Sequence, residues 1–341
     1  MITLSDRSHD YVEASTLWVG RRNGIPIIIP FMSHYDIDSA LEYRRGPDGK
    51  TDPELLPFWP PSPYKWISWL RLRRQMHKGI FFQPPYLLNA NRRAGTLSRY
   101  PWWVGHGLSD IVCVDSRHTA EKFQRHGVDP RKIAVTGHLA YDRVFKGACQ
   151  RKTLKSDLFE KYSLDATRPL LVLSMPQYAE QGYMDWQEHW REIDAIMAGL
   201  CAVNANLLIS LHPRSDRAAY RHLAEKFPCR FAEEALADII GAADLFAASN
   251  SSTFNWAALC GVPSIAVKSP VRLLYDYLQT VHPVYDSGRI AVEAARILQN
   301  TPPSFEADWE TLSRDHVFDG RFNLRFLELL HKVSAAAPPY A

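Results

Sequence analysis

Residues 207–267 leave this chain few choices of fold. The apolar run 207–211 (LLISL) stops abruptly at His212-Pro213-Arg214-Ser215, and the run 244–248 (DLFAA) stops at Ser249-Asn250-Ser251-Ser252. A third run, 264–267 (SIAV), follows Gly261-Val262-Pro263, and residues 253–260 before it are long enough for two helical turns. Short apolar runs cut off by turn formers read as buried strands. Strand, polar loop, helix, strand is the rhythm of a parallel open sheet.

Such sheets take ligands beyond the carboxyl ends of their strands, where a loop hands over to a helix N-terminus. Hydroxyls and unpaired backbone N–H groups at that point seat a phosphate. An imidazole and a guanidinium at the neighbouring strand end add charge-assisted bonds to the same anion. The expected site therefore binds a nucleotide mono- or diphosphate through His212, Arg214, Ser251, Ser252 and Thr253, with Ser249 beside them. Serines before a helix are also ordinary N-caps, and His-Pro after a strand is also an ordinary turn. Their coincidence on successive strand ends is what points to a ligand.

Other segments keep the same rhythm. Residues 112–142 (VCVDSRHTAEKFQRHGVDPRKIAVTGHLAYD) read as strand, helix, turn and a strand ending at Gly137-His138. Residues 169–174 (PLLVLS) read as a strand ending in Met175-Pro176-Gln177, followed by helices over 186–203, 216–226 and 235–242.

With these segments in view, the chain resembles the two-domain, B-type glycosyltransferase fold (GT-B). That superfamily includes nucleotide-sugar transferases, bacterial sialyl- and Kdo-transferases, CDP-glycerol glycerophosphotransferases and UDP-N-acetylglucosamine 2-epimerases. His212-Pro213 and Ser251-Ser252 resemble the HP and SS motifs of bacterial transferases that use CMP-sugars, and LHPRSD resembles the HPRT segment of the 2-epimerases. FDGRFNLRFLELL at 318–330 is similar to the D-G-x-x-x-x-R ending of polysaccharide-building transferases. The resemblance implies an α/β chain of two Rossmann-like domains around a central cleft, closed by a C-terminal crossover helix. An acceptor-side domain would span 1–150, a nucleotide-donor domain 151–310, and a helix returning to the first domain 311–341. It also places His138 and Gln177 near the donor phosphates. The early strand and Gly-rich loop with which the acceptor domain opens in such proteins are missing, so either the first domain is reduced or the chain starts late.

Composition narrows the class. A length of 341 residues gives room for two cores. A net charge of +3 is too small to argue for a nucleic-acid partner. The five cysteines are odd in number and widely spaced with no C-x-x-C pair, so neither a disulfide framework nor a zinc site is expected. The N-terminus lacks the apolar core of a signal peptide and no run approaches membrane-spanning length. The expectation is a cytoplasmic protein without metal or cofactor.

The first half is less regular. Residues 9–24 read as a helix and 25–31 (IPIIIPF) as a buried strand, whereas 36–100 is an irregular basic and aromatic insertion. Within it, 64–82 (YKWISWLRLRRQMHKGIFF) reads as one helix carrying Trp66, Trp69, Leu70 and Phe81 on one side and Lys65, Arg71, Arg73, Arg74 and Lys78 as charge. Trp beside Lys and Arg is the composition of a helix lying on an anionic membrane surface, here the inner face of the membrane. The same pattern also suits an amphipathic helix packed on the protein itself. The polar stretch 148–168 reads as the linker between domains.

The function these features favour is transfer of a sugar or polyol phosphate from a nucleotide carrier, a nucleotide-sugar or a CDP-polyol, to a surface-polysaccharide or lipid-linked acceptor. The protein's task is then to neutralise charge building on the leaving phosphate, which suits His212 and Arg214 without a metal. The acceptor hydroxyl needs a general base, for which His106, His34, Asp36 and Asp38 are the candidates. A 2-epimerase is the competing expectation. Its relatives carry a Gly-Gly and paired Glu after the serine, where this chain has Ser252-Thr253-Phe254-Asn255-Trp256. A third is a non-catalytic nucleotide-binding member.

Overall fold

The computed structural model describes residues 1–7, 11–32, 37–45, 50–58, 63–249, 251–267, 278, 280–299, 312 and 315–336. The chain divides into two compact units, one of Met1–Leu139 with Asp315–Val317 and Arg321–Ala341, the other of Ala140–Arg314 with Phe318–Gly320.

The first unit opens with helix α1 (Tyr11–Arg22) and strand β1 (Ile28–Ile29). The strand expected over 25–31 pairs over only two residues, because Pro26 and Pro30 flank it and have no N–H to give a ladder. Its other side is bonded by the chain start, where Ile28 N donates to Met1 O and Thr3 N donates to Ile28 O. Helices α2 (Ile37–Arg45) and α3 (Pro63–Leu72), hairpin strands β2 (Met76–His77) and β3 (Ile80–Phe81), and helix α4 (Pro85–Ala94) follow. Strand β4 (Ile111–Val114), helix α5 (Arg117–Arg125) and strand β5 (Ile133–Val135) complete a parallel sheet of order β1-β4-β5. Trp102, Trp103, Phe123, Val112, Val114 and Phe31 pack its core, and the Trp102 indole N–H donates to Gln75 O at 2.8 Å.

The single helix expected over 64–82 is corrected here. It stops at Leu72, and after one 3-10 turn (Arg73–Gln75) the chain doubles back as the β2–β3 hairpin. The hairpin turn Lys78-Gly79 has positive φ at both residues, 45° and 82°, the geometry whose twist matches paired strands.

In the second unit, helices α6 (Tyr141–Cys149) and α7 (Arg151–Tyr162) precede strand β6 (Leu170–Ser174). Then come α8 (Trp186–Cys201), β7 (Asn206–Ser210), α9 (His222–Lys226), β8 (Cys229–Phe231) and α10 (Leu236–Ile239). Strand β9 (Leu245–Ala248), helix α11 (Thr253–Leu259), strands β10 (Ser264–Val267) and β11 (Val281–Val284), and helix α12 (Ile290–Gln299) follow. All six strands are parallel, in the order β11-β10-β9-β6-β7-β8. Both faces are covered, which is why the strands read as continuous apolar runs. Leu170 and Val172 face one core with Phe246 and Phe254, and Leu171 and Leu173 face the other with Ile193, Met197 and Ile290.

The division falls at Leu139–Ala140, earlier than residue 150, because Tyr141 and Val144 of α6 are buried in the second unit's core beside Ile239. The stretch read as a linker is mostly α7, whose Leu158 is buried in that same core. Helix 216–226 shrinks to α9, and strands β8 and β11 lie where the sequence showed no strand. Both are sheet edges, which tolerate a short or Pro-containing strand such as Val281–Val284.

The returning chain is fastened residue by residue to the first unit. Asp315 accepts from His118 N at 3.1 Å in the first turn of α5, where the helix dipole favours a carboxylate. Buried His316 pairs with buried Asp115 at 3.5 Å. Arg325, in helix Phe322–Ala336, donates to Val317 O and to Thr136 O. That explains the arginine of the D-G-x-x-x-x-R segment. Its glycine, Gly320, has φ 69° and leaves 2.6 Å between a built Cβ and the Phe145 ring. Among the described residues no helix is long and apolar enough to cross a membrane.

Candidate functional site

In the second sheet the chain runs outward from β6 through β7 to β8, then returns to β9 on the other side of β6. The carboxyl ends of β6 and β9 therefore flank a topological switch point, the place where open α/β sheets bind ligands. From β6 comes the loop Met175-Pro176-Gln177-Tyr178, and from β9 come Ser249, Ser251 and Ser252 leading into α11. The buried Tyr178 hydroxyl bonds the Ser249 side chain and ties the two strand ends together; burial pushes its pKa up to about 12. One strand over, His212-Pro213-Arg214-Ser215 leaves β7.

Neither a family model nor a curated protein matches this chain. Solved structures do. A UDP-GlcNAc 2-epimerase from Neisseria meningitidis bound to UDP-GlcNAc aligns at a TM-score of 0.53 and 12% identity, covering 94% of this chain and 73% of the other. MnaA of S. aureus in a co-structure with UDP aligns at 0.52 and 10% identity, covering 96% and 75%. The wall teichoic acid polymerase TagF aligns at 0.47 and 13% identity, and the chain spans 63% of that structure's length. The fold is of the GT-B kind.

Within this fold the sequence-derived residues fall into two groups. Three offer unengaged groups at the strand ends. The exposed Arg214 guanidinium has no partner among the described residues. Exposed His212 accepts from Arg214 N through Nδ1 at 3.1 Å, so its neutral ring carries the proton on Nε2, which has no partner. Ser252 makes no side-chain capping bond, and its hydroxyl has no partner among the described residues.

The others are occupied within the protein. Ser251 Oγ accepts from Thr253 N at 3.3 Å and lies 2.8 Å from Thr253 Oγ1, so Ser251, one residue before the N-cap Ser252, is spent on the first N–H of α11. Ser249 holds Tyr178, and Gln177 Nε2 donates to Ser215 Oγ at 3.1 Å. Ser215 and Tyr220 both donate to Glu180, at 3.2 and 2.6 Å. This polar latch of Glu180, Ser215 and Tyr220, like the Tyr178–Ser249 tie beside it, was missed in the sequence. Its only signal there was the clustering of polar residues in the loops after β6 and β7.

At His212, partial desolvation of the ring first and the Arg214 charge second hold the pKa below 6.5, with Glu180 opposing. Its ring therefore meets an anion as a neutral Nε2–H donor, in a bond assisted by the charge of the anion, and the positive charge at the site is that of Arg214.

His138 and His106 belong to the first unit. His138, buried just past β5, has Nε2 2.9 Å from Met32 O, at the carboxyl ends of that sheet. His106 does not lie at a carboxyl end. It precedes β4, and its Nε2 is bonded to His126 O at the end of α5. Asp38 is held below the usual carboxylate range, chiefly by its hydrogen bond from Lys78, which makes it a poor base. His34 and Asp36 lie outside the described residues. Among those residues, no group of three or more His, Cys, Asp or Glu is placed to hold a metal ion.

Burial is the largest cause lowering the pKa of His106, His189, His212 and His282 below 6.5. Around His189 the rings of Trp190 and Tyr220 close the site, and its Nδ1 is buried without a partner. The sign follows from linkage. Below pH 6.5 the unfolded imidazoles bind protons that the folded ones refuse, so their contribution to stability, complete above that value, is lost as pH falls through the folded pKa values. Melting temperature is therefore expected to hold as pH falls toward 6.5 and to drop as it falls further. His189→Gln should flatten that drop. A melting temperature level across the whole range would contradict the assignment.

Proposed function

We propose that this chain is a nucleotide-sugar enzyme of the transferase kind. It moves a sugar or polyol phosphate from a nucleotide-activated donor to a glycan or lipid-linked acceptor in surface-polysaccharide synthesis. The observation that carries the reading is the trio of unengaged groups at the strand ends beside the switch point: the Arg214 guanidinium, the His212 Nε2–H and the Ser252 hydroxyl. A cation and two neutral donors suit a diphosphate, whose charge grows as the donor bond breaks. In this reading Arg214 balances that charge without a metal, and His212 and Ser252 orient the phosphate oxygens.

The 2-epimerase reading is less well supported. Just after the serine, where epimerase relatives carry a Gly-Gly and paired Glu, this chain has Ser252-Thr253-Phe254-Asn255-Trp256 without a carboxylate, and nearby Glu180 is engaged by Tyr220 and Ser215. The test is a thermal-shift panel of CMP, CDP, UDP, GDP and their sugars, since a ligand that binds only the folded state raises the melting temperature. Incubation with the best donor is then analysed for products. Release of free nucleotide in the presence of acceptor supports transfer, and an epimerised donor sugar replaces the proposal with the epimerase. If no nucleotide stabilises the protein, both readings fail.

A further inference from the structure

Helix α3 is amphipathic the wrong way round for a helix that serves only its own protein. Its stripe Trp66, Ile67 and Leu70 faces solvent at 52%, 46% and 51% exposure, whereas Ser68 is buried and bonded to Asn89 of α4. Helices this short in globular proteins turn the apolar stripe inward. The exposed stripe is extended by Phe58, whose ring lies 5.5 Å from that of Trp66 and 5.7 Å from that of Trp69. Contiguous aromatic and aliphatic surface of this kind marks a surface made to be covered.

The charge of its own segment is one-sided. Residues 63–94 contain Lys65, Arg71, Arg73, Arg74, Lys78, Arg92 and Arg93 and not one Asp or Glu, although the whole chain carries only +3. The five arginines are exposed and have no partner among the described residues. Arg71 stands one turn beyond Ile67 and so continues the apolar face. The hairpin turn Lys78-Gly79 brings the chain back into α4, which ends in Arg92 and Arg93.

We infer that this surface docks the protein on an anionic bilayer, with Phe58, Trp66, Ile67 and Leu70 entering the headgroup layer and the unpaired arginines meeting lipid phosphates. Charge complementarity selects the occupant. A second copy would bring the same arginines face to face with no carboxylate of 63–94 to meet them; the acidic groups of neighbouring elements, Asp38 and Glu54, already bond Lys78 and Tyr86, and like charges brought together in an interface are unfavourable. Aromatic side chains at the headgroup level with arginines beside them are what such a layer accommodates. The docking is independent of the donor chemistry proposed above, so either can fail alone.

The experiment is co-sedimentation of the full chain with vesicles of phosphatidylcholine, with and without phosphatidylglycerol, at low and at physiological salt. The wild type is expected to sediment only with phosphatidylglycerol vesicles, and less as salt rises. Replacing Arg71, Arg73 and Arg74 together by Gln should weaken partitioning on the order of a hundredfold, since each basic residue near the surface contributes roughly fivefold. Trp66→Ser with Ile67→Ser should also release the protein, with an unchanged melting curve and unchanged nucleotide stabilisation showing that the fold is intact. No binding, equal binding to neutral vesicles, or no effect of either variant would overturn the inference. So would light scattering that shows a dimer dissociated by Trp66→Ser, which would give the surface to a second copy.

Discussion

Asp6→Ala is expected to destabilise the first unit by about 3 kcal/mol. The Asp6 carboxylate is buried and accepts from Gly105 N at 2.8 Å, Gly107 N at 2.9 Å and Ser109 Oγ at 2.5 Å. It thereby pins the chain start against the loop that feeds β4. The hydroxyl of Ser109 can rotate to another partner, but the two backbone donors cannot. Each buried N–H left unpaired costs about 1–3 kcal/mol. For a unit of this size that is a fall of roughly 6–12 °C in melting temperature. Asp6→Asn, which keeps one carbonyl oxygen, should lose about half as much, and Ser109→Ala only about 1 kcal/mol. The close fit also explains Gly107, where a Cβ would stand 2.0 Å from Asp6 O, so Gly107→Ala should do at least as much damage as Asp6→Ala. Melting curves of the four variants decide this. An Asp6→Ala protein that melts with the wild type would show that the cage does not hold the loop.

The second large effect concerns affinity. Arg214→Ala is expected to weaken binding of the preferred nucleotide roughly 10- to 150-fold, since a hydrogen bond to a charged group is worth about 1.5–3 kcal/mol. It should leave the melting temperature of the free protein unchanged, because the guanidinium has no partner among the described residues. Ser252→Ala should behave likewise on a smaller scale. Ser251→Ala should do the opposite, costing about 1 kcal/mol of stability as the lost hydrogen bond to the first N–H of α11 with little change in affinity. His212→Ala removes both the Nε2–H donor and the acceptor that holds Arg214 N, so it should lose affinity and loosen the loop together. Calorimetric titration beside a melting curve separates these outcomes. Unchanged affinity in Arg214→Ala and Ser252→Ala would remove the main support for a donor site at these strand ends.

How the sequence relates to the structure can be followed through particular elements. Strands β6, β7, β9 and β10 were legible because each is buried on both faces, and double burial writes an uninterrupted apolar run into the chain. The polar residues that end those runs were legible for the same local reason, so the candidate strand ends were found without coordinates. By itself, then, the sequence determined that the second unit is a buried parallel sheet with small polar and basic residues at its strand ends.

What the tertiary structure decided is everything that depends on residues distant in sequence. The edge strands β8 and β11 gain their ladder from a neighbour, and three residues of Cys-Arg-Phe or a strand containing Pro283 carry no pattern of their own. The first unit's sheet shrinks at β1 because prolines interrupt an apolar run that otherwise looks buried throughout. Only the fold could show which strand-end groups are spent on the protein, such as Ser249 on Tyr178 and Gln177 on Ser215, and which remain for a ligand. The Asp6 cage and the Asp115–His316 pair likewise join residues far apart in the chain. Apolar periodicity reports how deeply a segment is buried, which is a local property. Which polar group meets which depends on topology, and topology is settled only when the whole chain has packed.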